Sequence, residues 1–280
     1  MEYKENEIKQ GIKFHTINTD KFKTNLMAIF LTTKLTRENV TKNALISLLL
    51  KRGSKNMKDQ EKISKKMEEL YGAIFDCGLD KTGDNQVIKL YIETINDKYL
   101  PQSEGDLLKT TMENLLEITF APYIENGEFL PEYVEQEKNT IRQLIGTKKD
   151  NKARYAQTRC IEEMYKNQPY SLFKYGYEED LEKINGKNLY EYYKELLQTC
   201  KIDIFLSGNL NGKEYEIIKN NENIQKLEER EPVYIKPKVA QVNSSEAEKI
   251  VTENLDVAQG KLVLGLDIDI KNADQKYDVL

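Results

Sequence analysis

Histidine is the side chain that most zinc, serine and cysteine hydrolases use as a metal ligand or general base, and this 280-residue sequence contains a single one, His15. Zinc motifs that need two histidines are therefore excluded. His15 lies in the alternating segment GIKFHTI, where we expect an ordinary strand residue rather than a catalytic base. A hydrolase of another mechanism would need a nucleophile beside a base, and only His15 could be that base.

The three cysteines offer no second route to chemistry. Cys77, Cys160 and Cys200 are far apart in the sequence, form no CxxC pair and are odd in number. This pattern favours free, buried thiols over a disulfide framework or a metal site.

Composition excludes two classes of partner. The net charge of -5 arises from 47 acidic and 42 basic residues, a balance that gives no cationic field for nucleic acid. The first residues, MEYKENEIKQGIKF, lack the apolar segment of a signal peptide, and no later stretch approaches about 18 apolar residues. We therefore expect a cytoplasmic protein with neither a nucleic-acid partner nor a membrane segment.

The first third of the chain predicts two strands followed by two helices. Residues 11–17 and 24–32 are β-rich and separated by a polar turn, which indicates an opening hairpin. The segment NALISLLLKR, with Thr41 as N-cap and Gly53 as stop signal, is aliphatic on nearly every side and predicts a buried helix. After Asp59, another suitable N-cap, QEKISKKMEELY predicts an amphipathic helix.

The rest of the first 210 residues alternates between strand and helix patterns. A second hairpin, further helices and a closing strand are predicted at residues 73–79 with 86–93, 103–119, 131–145, 152–166, 188–197 and 201–208. We expect the apolar faces of these helices to cover one core.

Composition changes after this unit. The stretch at 222–255 is charged and contains prolines and serines, which is typical of an extended linker. Residues 261–270 are again strand-like. The predicted organisation is a domain at 1–221, a linker at 222–255 and the start of a second domain at 256–280, so that the chain looks truncated.

The order of these elements resembles the insulinase-type (M16) peptidase family over roughly residues 10–215. The resemblance is carried by the aliphatic helix, the segment MEELYGAIFD, the helix with VEQEKNTIRQLIG, the block YGYEEDLEKINGKNLYEYYKELL and the strand end LSGNL. It implies an α+β fold of the LuxS/MPP-like metallohydrolase kind, with a mixed, antiparallel-rich sheet packed on one side by helices.

Active members of that family carry HxxEH on the aliphatic helix, where two histidines bind zinc and the glutamate polarises water. The similar helix here places Ala44, Ser47 and Leu48 at those positions. The third ligand, a glutamate on a later helix, is matched by Leu144, or by Gln143 if the register shifts by one residue. The resemblance therefore implies a chain without zinc of its own and inactive when alone.

The resemblance also implies a role for such a chain. Two-subunit bacterial members pair a silent subunit with an active, HxxEH-bearing paralogue that holds the zinc, and enclose a peptide between the two. Peptide adds by backbone pairing to the strand that follows the YGA helix. The matching residues here are Ile74, Phe75, Asp76, Cys77 and Gly78. An ordinary covered strand is the alternative, since sheet edges are usually protected.

A second function stays open at this stage, namely a stand-alone peptide-binding or scaffold protein without a proteolytic partner. The chain is similar to short, cytoplasmic bacterial members that lack the zinc motif and are associated with modification of a translation elongation factor. That association assigns no role to any residue and indicates no substrate.

Overall fold

The computed structural model describes residues 1–100, 106–234, 249–256 and 258–266. The strands are β1 Glu2–Lys9, β2 Ile12–Asn18, β3 Thr24–Lys34, β4 Ile74–Thr82, β5 Asn85–Ile95, β6 Ile124–Glu125, β7 Glu128–Phe129 and β8 Lys201–Gly208. The helices are α1 Val40–Leu49, α2 Gln60–Glu69, α3 Leu107–Phe120, α4 Pro131–Gly146, α5 Lys152–Met164, α6 Glu178–Leu181, α7 Gly186–Thr199, α8 Glu214–Asn220 and α9 Glu222–Gln225.

Six strands form one mixed sheet in the order β1-β2-β8-β3-β5-β4. Within the described ranges β2 pairs with β8 in parallel, and the other neighbours pair antiparallel. Alternate side chains such as Phe14, Ile29 and Ile204 are fully buried in the core beneath the helices. The predicted fold, an antiparallel-rich mixed sheet covered by helices on one side, is confirmed.

The other side of the sheet, which we call the open face, lacks a layer of helices in the described part of the chain. The intervening side chains of the central strands, among them Leu26, Phe30, Val87 and Phe205, line a shallow concavity of about 570 Å³ there. The sheet therefore has one closed, apolar face and one accessible face.

The predicted opening hairpin is wrong in its pairing. Both strands exist, but β8 lies between β2 and β3, and β2 instead forms a hairpin with β1. The chain turns at Gly11, whose φ of +80° suits glycine. β1, with the sequence EYKENEIK, was not predicted because it is polar and mostly exposed at the outer edge of the sheet.

The N-terminus of α1 also differs from the prediction. The helix begins at Val40, so Thr41 lies inside its first turn rather than at the N-cap. The Thr41 hydroxyl donates to Asp180 Oδ2 at 2.6 Å and accepts the Tyr177 backbone N–H at 3.1 Å. Thr41 thus fastens α1 to the loop before α6 instead of capping its own helix.

The folded unit continues past the predicted boundary at residue 221. Ile224 of α9 is fully buried, and the buried guanidinium of Arg230 donates to the Leu197 carbonyl at 2.6 Å. The division into two domains stays a prediction. Of the strand predicted at 261–270, residues 261–266 have no regular secondary structure, and the remainder lies outside the described residues.

No helix among the described residues is both long enough and apolar enough to cross a bilayer.

The close packing of α1 against the loop before α6 predicts a specific sensitivity at Gly176. A Cβ at this residue, whose φ is +78°, would lie 2.0 Å from the Thr41 Oγ1 atom. Gly212 has a similar φ of +88° but open space around it, so it is a matched control. Gly212→Ala should lower the free energy of unfolding by about 1 kcal/mol, and Gly176→Ala by about 2 kcal/mol more. Urea denaturation measures both, and equal losses would contradict this packing.

Candidate functional site

The positions that match the HxxEH motif lie on α1 and hold no metal-binding group. Ala44 is fully buried, and Ser47 donates its hydroxyl back to the Ala44 carbonyl at 2.8 Å. Leu48 and Leu144 are half-buried and pack against the core. A methyl, an engaged hydroxyl and two isobutyl groups do not fit zinc, which takes nitrogen, sulfur or carboxylate ligands.

Elsewhere in the described ranges, no three His, Cys, Asp or Glu side chains come together in a way that could hold a metal ion.

Helices α1 and α4 pack against each other, and an ion pair joins them. Arg52, just beyond the end of α1, donates from Nε to Glu137, whose side chain is only 6% exposed. The guanidinium also lies 5.7 Å from the centre of the Tyr133 ring on α4. A charge pair thus links α1 to α4, the two helices on which the M16 resemblance places the zinc ligands of active members.

A buried amide network fixes the other end of α1 on the sheet. Asn43 donates to the Gln86 Oε1 atom of β5 at 2.9 Å and accepts from the Tyr192 hydroxyl at the same distance. Gln86 in turn donates to the Lys174 carbonyl at 2.9 Å. Burial raises the pKa of Tyr192, so the phenol stays a protonated donor. Asn43 is therefore a structural residue, one position from Ala44, which matches the first histidine of the motif.

The segment Ile74–Gly78 belongs to β4, the outermost strand on its side of the sheet. Backbone groups in an antiparallel strand point alternately toward the neighbour and away from it. The Leu79 carbonyl points outward, because it accepts from Lys174 Nζ at 3.0 Å. Phe75 and Cys77 are separated from Leu79 by an even number of residues, so their backbone groups also point outward. In the described structure these N–H and C=O groups have no backbone partner.

The start of this edge is accessible and lies close to α1. Ile74 is 57% exposed, and Asp76 forms an ion pair of 2.5 Å with Lys51, two residues beyond the end of α1. Cys77 is buried, and burial raises its thiol pKa, so it is no nucleophile. Free thiols are confirmed for all three cysteines, but Cys160 is only half-buried.

Sequence reasoning missed a polar cavity of about 430 Å³ beside Leu144. We call it the basic pocket. Its polar walls are formed by Lys81 from the end of β4, Lys148, Arg154, Glu162 and Lys174. Lys81 Nζ donates to the carbonyls of Tyr170 and Leu172 at 2.8 and 2.7 Å. Its pKa is lowered to about 8, chiefly by burial.

His15 is not brought to this region. It lies on β2, separated from β4 by three intervening strands, and is buried against the ring of Phe205 at a centroid distance of 4.1 Å. Its Nε2 atom is 3.0 Å from Asp203 Oδ1, and its Nδ1 atom is 2.8 Å from the Tyr3 hydroxyl. No Ser, Thr or Cys hydroxyl or thiol of the described residues is hydrogen-bonded to it. The structure therefore favours a strand residue that fastens β1 to the sheet.

Comparisons with known proteins agree with this geometry. No protein-family model matches the chain. The probable inactive metalloprotease YmfF of Bacillus subtilis (strain 168) is 34% identical over 278 residues, which are 98% of this chain and 64% of that protein. A conserved protein from Enterococcus faecalis V583 has a similar structure, with a TM-score of 0.76 at 26% identity over 86% of this chain and 57% of that one.

The inactive domain of an M16 peptidase from Pseudomonas fluorescens shares the fold with a TM-score of 0.63, at 15% identity, over 85% of this chain and 53% of that one. Fold and site together define a protein with a peptidase-like fold in which three apolar side chains and one hydroxyl stand at the positions that match the metal-binding motif. The chain shares the fold of an inactive M16 peptidase domain and is similar over nearly its whole length to a probable inactive metalloprotease. It spans less than two thirds of the length of each of these relatives, so what the whole protein does is a matter for proposal.

The link between α1 and α4 predicts thermodynamic coupling. Arg52→Met leaves Glu137 buried without its cation and should lower the free energy of unfolding by about 2 kcal/mol. Glu137→Leu should cost about 1 kcal/mol, because Arg52 is 26% exposed and can still reach water. The double variant should lose no more than Arg52→Met alone. Urea denaturation of all four proteins measures the coupling, and additive losses would show that the pair does not join the helices.

Proposed function

We propose that the chain is a silent subunit that pairs with an active, HxxEH-bearing M16 paralogue and helps to enclose a peptide substrate. The observation that carries this proposal is the combination of an accessible β4 edge with an α1 that holds no metal ligand beside it. In such a pair the paralogue supplies the zinc and the water-polarising glutamate, and this chain supplies peptide-binding surface. This chain needs no cofactor of its own, and a cytoplasmic location is part of the proposal.

The edge position of β4 supports peptide binding. Pairing with a sheet edge uses the N–H and C=O groups of the main chain, so it holds peptides without requiring particular side chains. Uncovered edges promote aggregation, and proteins usually protect them. In the described structure, the outward backbone groups of Phe75 and Cys77 have no backbone partner, whereas Lys174 binds the Leu79 carbonyl. Ile74 and Asp76 are exposed, Cys77 is buried, and Asp76 pairs with Lys51 just beyond α1.

A second candidate is a stand-alone peptide-binding or scaffold protein. The same β4 edge supports it, because backbone pairing with a peptide needs no catalytic partner. The two candidates differ in the existence of a zinc-bearing companion, which experiment can decide.

Purification of the tagged chain from its native organism at native expression level tests the pairing. We expect an HxxEH-bearing M16 protein to co-purify in near-equal amount. The complex should cleave peptides and lose that activity on chelation of zinc, whereas the isolated chain should cleave none. A preparation that contains the chain without any M16 companion would favour the scaffold function.

A pair of substitutions tests the edge itself. Proline at residue 75 removes an outward N–H without disturbing the pairing with β5, so Phe75→Pro should weaken binding of a fluorescein-labelled nonapeptide of alternating threonine and valine about fivefold. Phe75→Ala removes the same side chain but keeps the N–H, so it should bind the peptide almost normally. Fluorescence anisotropy measures both affinities. Equal affinity of the two variants would exclude backbone pairing at this residue.

A further inference from the structure

The basic pocket contains more positive charge than its own carboxylate can balance. Four of its lining side chains are cationic, namely Lys81, Lys148, Arg154 and Lys174, and Glu162 is the single carboxylate among the lining residues. Aromatic rings of Tyr170, Phe173 and Tyr175 and the apolar side chain of Leu144 complete the walls. A cavity of this kind is suited to a ligand with an anionic group on a short apolar stem.

Glu162 is already committed to other cations. It lies 2.5 Å from Lys148 Nζ and 2.6 Å from the Arg159 guanidinium. The Lys174 Nζ atom lies 3.6 Å from the Asp80 carboxylate. The same carboxylate also pairs with Lys89 Nζ at 2.5 Å, so its charge is shared between two lysines. Lys81 has no ion-pair partner among the described residues: it donates to the carbonyls of the loop that follows α5 and lies 4.7 Å from the centre of the Tyr170 ring.

The electrostatics of Lys81 reflect this imbalance. Burial is the largest cause of its lowered pKa; the charge of Glu162 opposes the shift, and the charges of Lys148 and Lys174 add to it. An anion bound between these cations would replace lost solvation and offset their mutual repulsion.

The pocket lies in line with the β4 edge. Lys81 is a β4 residue with the same parity as Phe75, Cys77 and Leu79, about 20 Å from Phe75 along the strand. Because Lys174 occupies the Leu79 carbonyl, a peptide paired with Ile74–Gly78 must leave the backbone ladder near that residue. Its next residues would then extend toward the basic pocket, which Lys81 of β4 lines.

We infer that the basic pocket binds a peptide carboxylate, either the side chain of an acidic residue or the C-terminal carboxylate, at the end of a peptide held on β4. The inference rests on the proposed edge binding, and it adds a preference for acidic substrates to an otherwise sequence-independent mode.

Three fluorescein-labelled peptides of alternating threonine and valine test it on the 280-residue chain. The first has a glutamate as its penultimate residue and an amidated C-terminus, the second has glutamine there with the amide, and the third has glutamine with a free carboxylate. We expect the first or the third to bind about tenfold more tightly than the second, and which of them does so identifies the source of the carboxylate.

Charge variants locate the effect. The double variant Lys148→Met, Arg154→Met should abolish the preference for the carboxylate, while Lys65→Met, which removes an exposed charge on α2, should keep it.

If the three peptides bind equally, the pocket inference is overturned and edge binding stands. If none binds, edge binding fails, and N-acetylglutamate against N-acetylglutamine, titrated by NMR at the Tyr170 and Leu172 amides, tests the pocket alone. Equal shifts with both amino acids would overturn the inference.

Discussion

The position of α1 determines the rest of the site. Two polar interactions, one inside this apolar helix and one just beyond its end, fix that position. Near its N-terminus Asn43 joins α1 to β5 through Gln86, and just beyond its C-terminus Arg52 joins it to α4 through Glu137. Buried polar groups are costly unless they are paired, so each attachment specifies one register between its elements. The apolar packing of Leu45, Ile46 and Leu49 supplies stability but would tolerate other registers.

These attachments join α1 to its neighbours through side chains of the chain itself. In zinc-bearing relatives, two ligands on the first helix and one on a later helix would cross-link the helices, and binding free energy would add to folding free energy. Here Ala44, Ser47, Leu48 and Leu144 contribute apolar contacts and one local hydrogen bond instead. A charge pair such as Arg52 with Glu137 adds little net stability, but removal of one partner is costly. The pair therefore favours the one arrangement of α1 and α4 in which both charges meet.

Local patterns predicted the elements well, because the alternation in Gln86–Glu93 and the helical spacing after Asp59 arise from burial of a single face. Pairing was less predictable. β2, at Ile12–Asn18, pairs with β8, at Lys201–Gly208, near the other end of the domain. No local sequence pattern indicates such a distant pairing. The M16 resemblance supplied the positions of the missing ligands. The basic pocket could not be found in the same way, since Lys81, Lys148, Arg154 and Lys174 share no spacing and meet only in the folded chain.

The edge and the pocket are complementary in energetic terms. Each backbone hydrogen bond to an edge strand contributes about 1 kcal/mol net, and association alone costs at least about 4 kcal/mol, so a few pairs on β4 give weak binding and no discrimination. A desolvated carboxylate contact adds both affinity and choice of ligand. Even the sum is small for a chain that acts alone. A second subunit that closes over the β4 edge and the basic pocket would add contacts and exclude water from the charged contact, which would strengthen it. Weak intrinsic binding by this chain would therefore agree with the proposed paired, enclosing function.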